Sequence, residues 1–215
     1  MSKKGLICCR GRSLEHYKKL FDTKFDFIYL INEFNRFIVE DKNLLNFLRK
    51  KSEEGHLTQQ INISVSGVDK YLLDSISVKD IIATRLPANG KNFWWRENVN
   101  MNVLNHFNRT LSLQPETISP YMKHVENSLG VAMLNLIIDK NCDEIFVIGS
   151  DFYEEDYYLS HKEYDWEETS KKETQDRLKR GFDALVNNFP DVKFKIFTCS
   201  TYKNISDNCK VVKVQ

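Results

Sequence analysis

Apolar and polar positions alternate along this chain in blocks of two kinds. Short runs rich in β-branched and aromatic side chains have the length and composition of strands: "LICC" at 6–9, "FDFIYLIN" at 25–32, "INISVSG" at 61–67, "VKDIIATRL" at 78–86 and "EIFVIGSDF" at 144–152. "VKFKIFTCS" at 192–200 reads as the last strand. Between these runs, apolar residues recur three and four apart, as on one face of a helix. "SLEHYKKLF" follows the first strand with Ser13 placed as an N-cap. Leu44, Leu45 and Leu48 mark the next helix, and Val103, Leu104, Phe107 and Leu111 mark another. The longest helical pattern, 120–141, carries Val125, Leu129, Ala132, Met133, Leu136 and Ile137, and the last carries Leu178, Phe182, Leu185 and Phe189. Strand and helix alternating in this way predict an α/β fold with a mostly parallel sheet and helices on both faces. The segment 153–172, "YEEDYYLSHKEYDWEETSKK", is too hydrophilic for core and reads as a lid.

A doubly wound, Rossmann-like sheet collects ligands at the carboxyl ends of its strands, so the chemistry is sought there. Those ends offer Arg10-Gly11-Arg12-Ser13, Asn32-Glu33, Ser66-Gly67 and Gly149-Ser150-Asp151. Gly11, set between two arginines, lets the backbone come close to a ligand, and the helix that follows directs free N–H groups and partial positive charge at it. That combination suits a phosphate, the plainer alternative being a strand-to-helix turn with solvated arginines. It is neither a G-x-G-x-x-G nor a P-loop. Asn32 closes an apolar strand, where an amide reads a base or ribose edge or else forms a turn. Gly130, near the head of the long apolar helix, serves either a close ligand or close helix packing. The acids Glu154, Glu155 and Asp156 contain no D-x-D and read as a solvated part of the lid rather than a metal site. Phe93, Trp94 and Trp95 either stack on an acceptor sugar or fill a hydrophobic corner.

Composition narrows the function classes. The 215 residues suit one domain, 1–215, and 31 basic against 30 acidic side chains leave no overall field to attract nucleic acid or an anionic membrane. Any anion must be held by a local site. Five scattered cysteines, Cys8, Cys9, Cys142, Cys199 and Cys209, lack C-x-x-C spacing and read as reduced thiols, which places the protein in a cytoplasmic compartment. No run reaches the length of a membrane span, and the apolar start is too short for a signal peptide.

The motifs at the two ends of the expected site resemble the sialyltransferase superfamily, nearest in layout to the compact bacterial sialyltransferases. Those begin with a strand and Gly-Asn-Gly-Pro-Ser-Leu, where this chain has Cys9-Arg10-Gly11-Arg12-Ser13-Leu14. They continue with Phe-Asp, an apolar run and an asparagine, here Phe25-Asp26 through Asn32. Their helix start of Ser/Thr-Gly-Val, followed by aliphatics and Gly-x-Asp-Phe-Tyr, is matched by Ser128-Leu129-Gly130-Val131 and by Gly149-Ser150-Asp151-Phe152-Tyr153. The resemblance covers roughly the first 35 residues and residues 120–160, and leaves the middle third unmatched.

That resemblance implies an inverting glycosyltransferase that moves sialic acid or a related acidic sugar from a CMP-activated donor to a glycan acceptor. It implies no cofactor and no metal. Arg10, Gly11, Ser13, Asn32, Ser128, Leu129, Gly130, Asp151 and Tyr153 would form the nucleotide site, and Tyr157 and Tyr158 would neutralise the leaving phosphate. A histidine would deprotonate the acceptor, and His161 is the candidate although the family places its base just before the last large helix. Arg10 stands where the family has asparagine. The partners expected are donor and glycan acceptor, without nucleic acid, and homo-oligomerisation stays open. Two other readings compete: a nucleotide-binding enzyme like the archaeal pterin pyrophosphokinases and their motility-factor relatives, which would need metal-binding aspartates, and a binding protein that kept the sheet and lost the base.

Overall fold

The structure, a computed structural model, describes residues 2–31, 41–62, 80–84, 128–155, 158, 168–204 and 206–215. Among them seven strands form one sheet: β1 Lys4–Cys8, β2 Phe27–Ile31, β3 His56–Asn62, β4 Asp80–Thr84, β5 Glu144–Ile148, β6 Lys193–Thr198 and β7 Cys209–Lys213. Their order is β4-β3-β2-β1-β5-β6-β7, and every adjacent pair is parallel. The expected α/β fold is therefore present, and its sheet is more uniform than "mostly parallel".

Alternate residues of the central strands feed two cores. Leu6 and Cys8, Ile28 and Leu30, and Phe146 and Ile148 point to one face, where they pack with Leu14, Tyr17 and Leu20 of a 3₁₀ helix (Arg12–Leu20) and with Leu44, Phe47 and Leu48 of α1 (Lys42–Glu54). Ile7, Tyr29, Ile145 and Val147 point to the other face, under α2 (Ser128–Leu134), its π-helical continuation Asn135–Asp139, and α3 (Glu168–Asn188). Both faces are covered, which is why these strands read as unbroken apolar runs. Helices of the β1–β3 half lie on one face and those leading into β5 and β6 on the other, as right-handed crossovers running outward in opposite directions from the centre require. The direction reverses between β1 and β5, and that crevice is the topological switch point.

Several sequence expectations need correction. β3 begins five residues earlier than 61–67 suggested, at His56, because Thr58 and the two glutamines made the first half look polar. A seventh strand follows the one read as last: β7, a half-exposed edge strand whose Cys209, Val211 and Val212 are interrupted and bounded by Lys210 and Lys213. Ser13 lies inside the 3₁₀ helix, and Gly11 holds the N-cap position without a side-chain cap. The expected lid, 153–172, overlaps α3, whose first residue is Glu168. The helix expected at 103–111, the first eight residues of the one expected at 120–141, and the aromatics 93–95 lie outside the described residues.

Candidate functional site at the carboxyl edge

At the switch point the segments leaving β1 and β5 cross in direct contact. The Cys9 N–H donates to the Ile148 carbonyl at 2.8 Å, and the Gly11 N–H to the Gly149 carbonyl at 2.7 Å. Gly149 has φ +78°, and a Cβ there would lie 2.1 Å from the Cys9 carbonyl oxygen. Only glycine fits, on both grounds. A Cβ on Gly11 would meet the Gly149 carbonyl and Asp151 Oδ2, each at 2.6 Å. The close approach that Gly11 permits is thus to the chain's own second loop.

Ser13 and Asp151 lock this crossing. The Gly149 N–H donates to the Ser13 hydroxyl at 3.0 Å, and the Ser13 N–H donates to Asp151 Oδ2 at 2.8 Å. Asp151 Oδ1 accepts from the Thr198 hydroxyl at 2.9 Å and from the Cys199 N–H at 2.8 Å. The carboxylate, 3% exposed, joins β1, β5 and β6 at their carboxyl ends. It also caps the 3₁₀ helix from a distance, supplying the acceptor that Gly11 cannot, in the position where a negative charge is favoured. Two consecutive non-glycine residues beyond it, Phe152 (φ 50°) and Tyr153 (φ 58°), adopt left-handed backbone. Such strain persists where surroundings fix it: the Phe152 ring is buried against Phe182 and Tyr202, and the Tyr153 carbonyl accepts from Gln175.

Of the acidic run, Glu154 is anchored in the fold, while Glu155 is exposed as expected. Glu154 takes Lys179 Nζ in an ion pair and accepts from the N–H and hydroxyl of Thr201, while Glu155 pairs with Arg12 at 3.4 Å. Partial burial works upward on the Glu154 carboxyl, but the Lys179 and Thr201 hydrogen bonds outweigh it and hold the pKa below its usual value. Asp156 lies outside the described residues.

Tyr158 reaches the same edge. Its N–H donates to the Arg10 carbonyl at 3.0 Å, and its phenol donates to Asp41 Oδ2 at 2.5 Å. Burial, then the neighbouring Asp41 carboxylate, push the phenol pKa upward, so the proton stays on Tyr158. On Asp41, burial works upward, but the Tyr158 phenol and the Leu44 and Asn43 N–H groups outweigh it and lower the pKa.

α2 runs from its first residue, Ser128, toward the amino end of β5, so its start also lies at the carboxyl edge. Leu129 shares a core cluster with Cys9 and Ile31 at the ends of β1 and β2. The segments around Gly11 and Gly130 therefore meet the same edge of the sheet. Asn32, Tyr157 and His161 lie outside the described residues, and of Ser128 the backbone alone is described. Asp41, Thr198 and Cys199 were not singled out from sequence. Asp41 carried a signal, an acid directly before a helical stripe; Thr198-Cys199-Ser200 carried a weaker one as the end of a strand. All five cysteines are free, and burial raises the Cys199 thiol pKa to about 11. A separate groove of about 550 Å³ opens between the 3₁₀ helix and α1, lined by Tyr17, Phe21, Phe47 and Lys50 among others, and includes none of these residues. No helix among the described residues is long and apolar enough to cross a membrane.

No family model matches the chain, and no curated protein does. Two solved structures are similar. The sialyltransferase CstII from Campylobacter jejuni, in complex with the substrate analogue cytidine-5'-monophosphate, matches with a TM-score of 0.55 and 17% identity, over 97% of this chain and 84% of that one. The sialyltransferase CST-II in complex with a trisaccharide acceptor and CMP matches with a TM-score of 0.54 and 18% identity, over 90% of this chain and 80% of that one. The chain shares the sialyltransferase-like α/β fold of these two structures.

Proposed function

We propose that the protein is an inverting glycosyltransferase, transferring sialic acid or a related acidic sugar from a CMP-activated donor to a glycan acceptor without a required metal. The observation that carries this reading is the crossing of the Gly11 and Gly149 segments at the switch point of a fold whose solved neighbours hold CMP. In this reading the Gly11 and Ser13 N–H groups, bonded to Gly149 and Asp151, shape the Arg10–Ser13 turn rather than bind the ligand; Arg10 of that turn and the Ser128-Leu129-Gly130 helix start hold phosphate and ribose, and Asn32 reads the nucleotide. Asp151 serves the site through Ser13, since its oxygens already accept from three donors. Tyr153 lines the same edge. Tyr158 has its phenolic proton committed to Asp41, which leaves Tyr157 to face the leaving phosphate.

The acceptor hydroxyl oxygen attacks the anomeric carbon as the bond from that carbon to the phosphate oxygen breaks. The hydroxyl proton passes to His161, the electron pair of the broken bond stays on CMP, and attack opposite the leaving group inverts the centre. Replacing His161 by Ala should remove turnover by roughly a hundredfold or more while leaving CMP affinity unchanged. A chain that binds CMP and shows no turnover before substitution would be a binding protein. Thermal-shift measurement with CMP, UDP, GDP and ATP, each with and without magnesium, tests the nucleotide class. Stabilisation by CMP without metal is expected. A preference for ATP with magnesium would overturn the reading in favour of a pyrophosphokinase-like enzyme.

A further inference from the structure

The polar stretch after β5 touches the sheet edge at Tyr158, where one peptide group and one side chain join two other elements. The peptide N–H donates to the carbonyl of Arg10 at 3.0 Å, and the phenol to Asp41 Oδ2 at 2.5 Å. Asp41 is itself fixed: its Oδ1 accepts from the N–H groups of Asn43 at 2.8 Å and Leu44 at 3.0 Å, capping α1. Its two oxygens thus have different duties. A helix cap needs only one, and serine would supply it equally well. The second oxygen reaches across to hold a residue 117 positions away, and through it the turn that follows β1.

We propose that Asp41 is a positioning residue of the nucleotide site: by fixing Tyr158 it fixes the Arg10 carbonyl, and so the direction in which residues 10–13 face the phosphate. This rests on the reading above that the turn holds the nucleotide. The turn is restrained from two sides. Gly149 and Asp151 bind Gly11 and Ser13 from the β5 loop, and Tyr158 binds Arg10. Asp41 sits just ahead of α1 at the same edge, so the β2–β3 half of the sheet is coupled to a turn formed between β1 and β5.

Two substitutions isolate this role. Asp41→Ser keeps a capping oxygen and is too short to reach the phenol; Tyr158→Phe removes the same hydrogen bond from the other side. Calorimetric titration with CMP should show each weakening affinity roughly five- to tenfold, the size of one hydrogen bond. The double variant should be no weaker than either single one, because both remove the same bond. Without nucleotide, amide hydrogen exchange at Tyr158 and Gly11 should quicken about tenfold in Asp41→Ser, while the amides of Asn43 and Leu44 keep their wild-type rates. Additive losses, unchanged CMP affinity or unchanged exchange at Tyr158 would each overturn the proposal. If the wild-type protein fails to bind CMP, the functional reading falls with it, and the exchange data still decide whether Asp41 holds the turn.

Discussion

Replacing Asp151 by Ala would test the crossing on which the site depends. The carboxylate is buried and accepts from the Ser13 N–H, the Cys199 N–H and the Thr198 hydroxyl. In the alanine variant the Thr198 hydroxyl keeps a partner in Ser200 at 2.7 Å, and the half-buried Cys199 amide can turn to water. The Ser13 amide is buried and loses its acceptor. An orphaned buried donor costs about 1–3 kcal/mol, and a lost hydrogen bond to a charged group about 1.5–3. Part of this is offset because the variant no longer buries a charge. A net loss of about 2–4 kcal/mol is expected, a large share of the roughly 5–15 kcal/mol of an ordinary domain. Asp151→Asn should fare little better. Whichever way the amide is turned, its NH₂ opposes a backbone N–H, that of Ser13 on one side or Cys199 on the other. Urea denaturation followed by far-UV circular dichroism measures both variants. A loss under about 1 kcal/mol for alanine, or an asparagine variant as stable as wild type, would show that the carboxylate does not hold the loops together.

Gly149→Ala should be costly, since the left-handed backbone adds about 1–2 kcal/mol and the new Cβ would press on the Cys9 carbonyl, a main-chain atom unable to rotate away. A fall in Tm of roughly 6–12 °C is expected for about 3 kcal/mol in a chain of this size, and a change within about 2 °C would contradict the geometry. The lowered pKa of Glu154 gives it a stabilising role that is complete above its ordinary value of 4.5 and is lost as pH falls through the lower folded value. Glu154→Gln should therefore flatten the acid side of the stability profile, read as urea midpoints between about pH 5 and 3; a profile parallel to wild type would mean that the Lys179 and Thr201 contacts carry no such role.

The sequence by itself determined the class of fold and where to look for chemistry. Leu6, Ile7 and Cys8, like Ile145, Phe146, Val147 and Ile148, form runs that fit a strand covered on both faces, and their alternation with helical stripes predicted a mostly parallel sheet. The glycine-containing ends of those runs named the turns that meet. Tertiary structure decided what the turns do there. Local pattern shows that Gly11 tolerates a close neighbour, but only the packing of β1 beside β5 shows that the neighbour is Gly149 and Asp151. A carboxylate that caps a helix more than a hundred residues upstream leaves no local trace, nor does a phenol shared with a cap on α1. β7, half exposed at the sheet edge, breaks its apolar residues with Lys210 and Lys213, so its strand signal is weaker than that of the central strands. Periodicity records burial along one segment; the partners of buried polar groups are chosen by contacts across the chain.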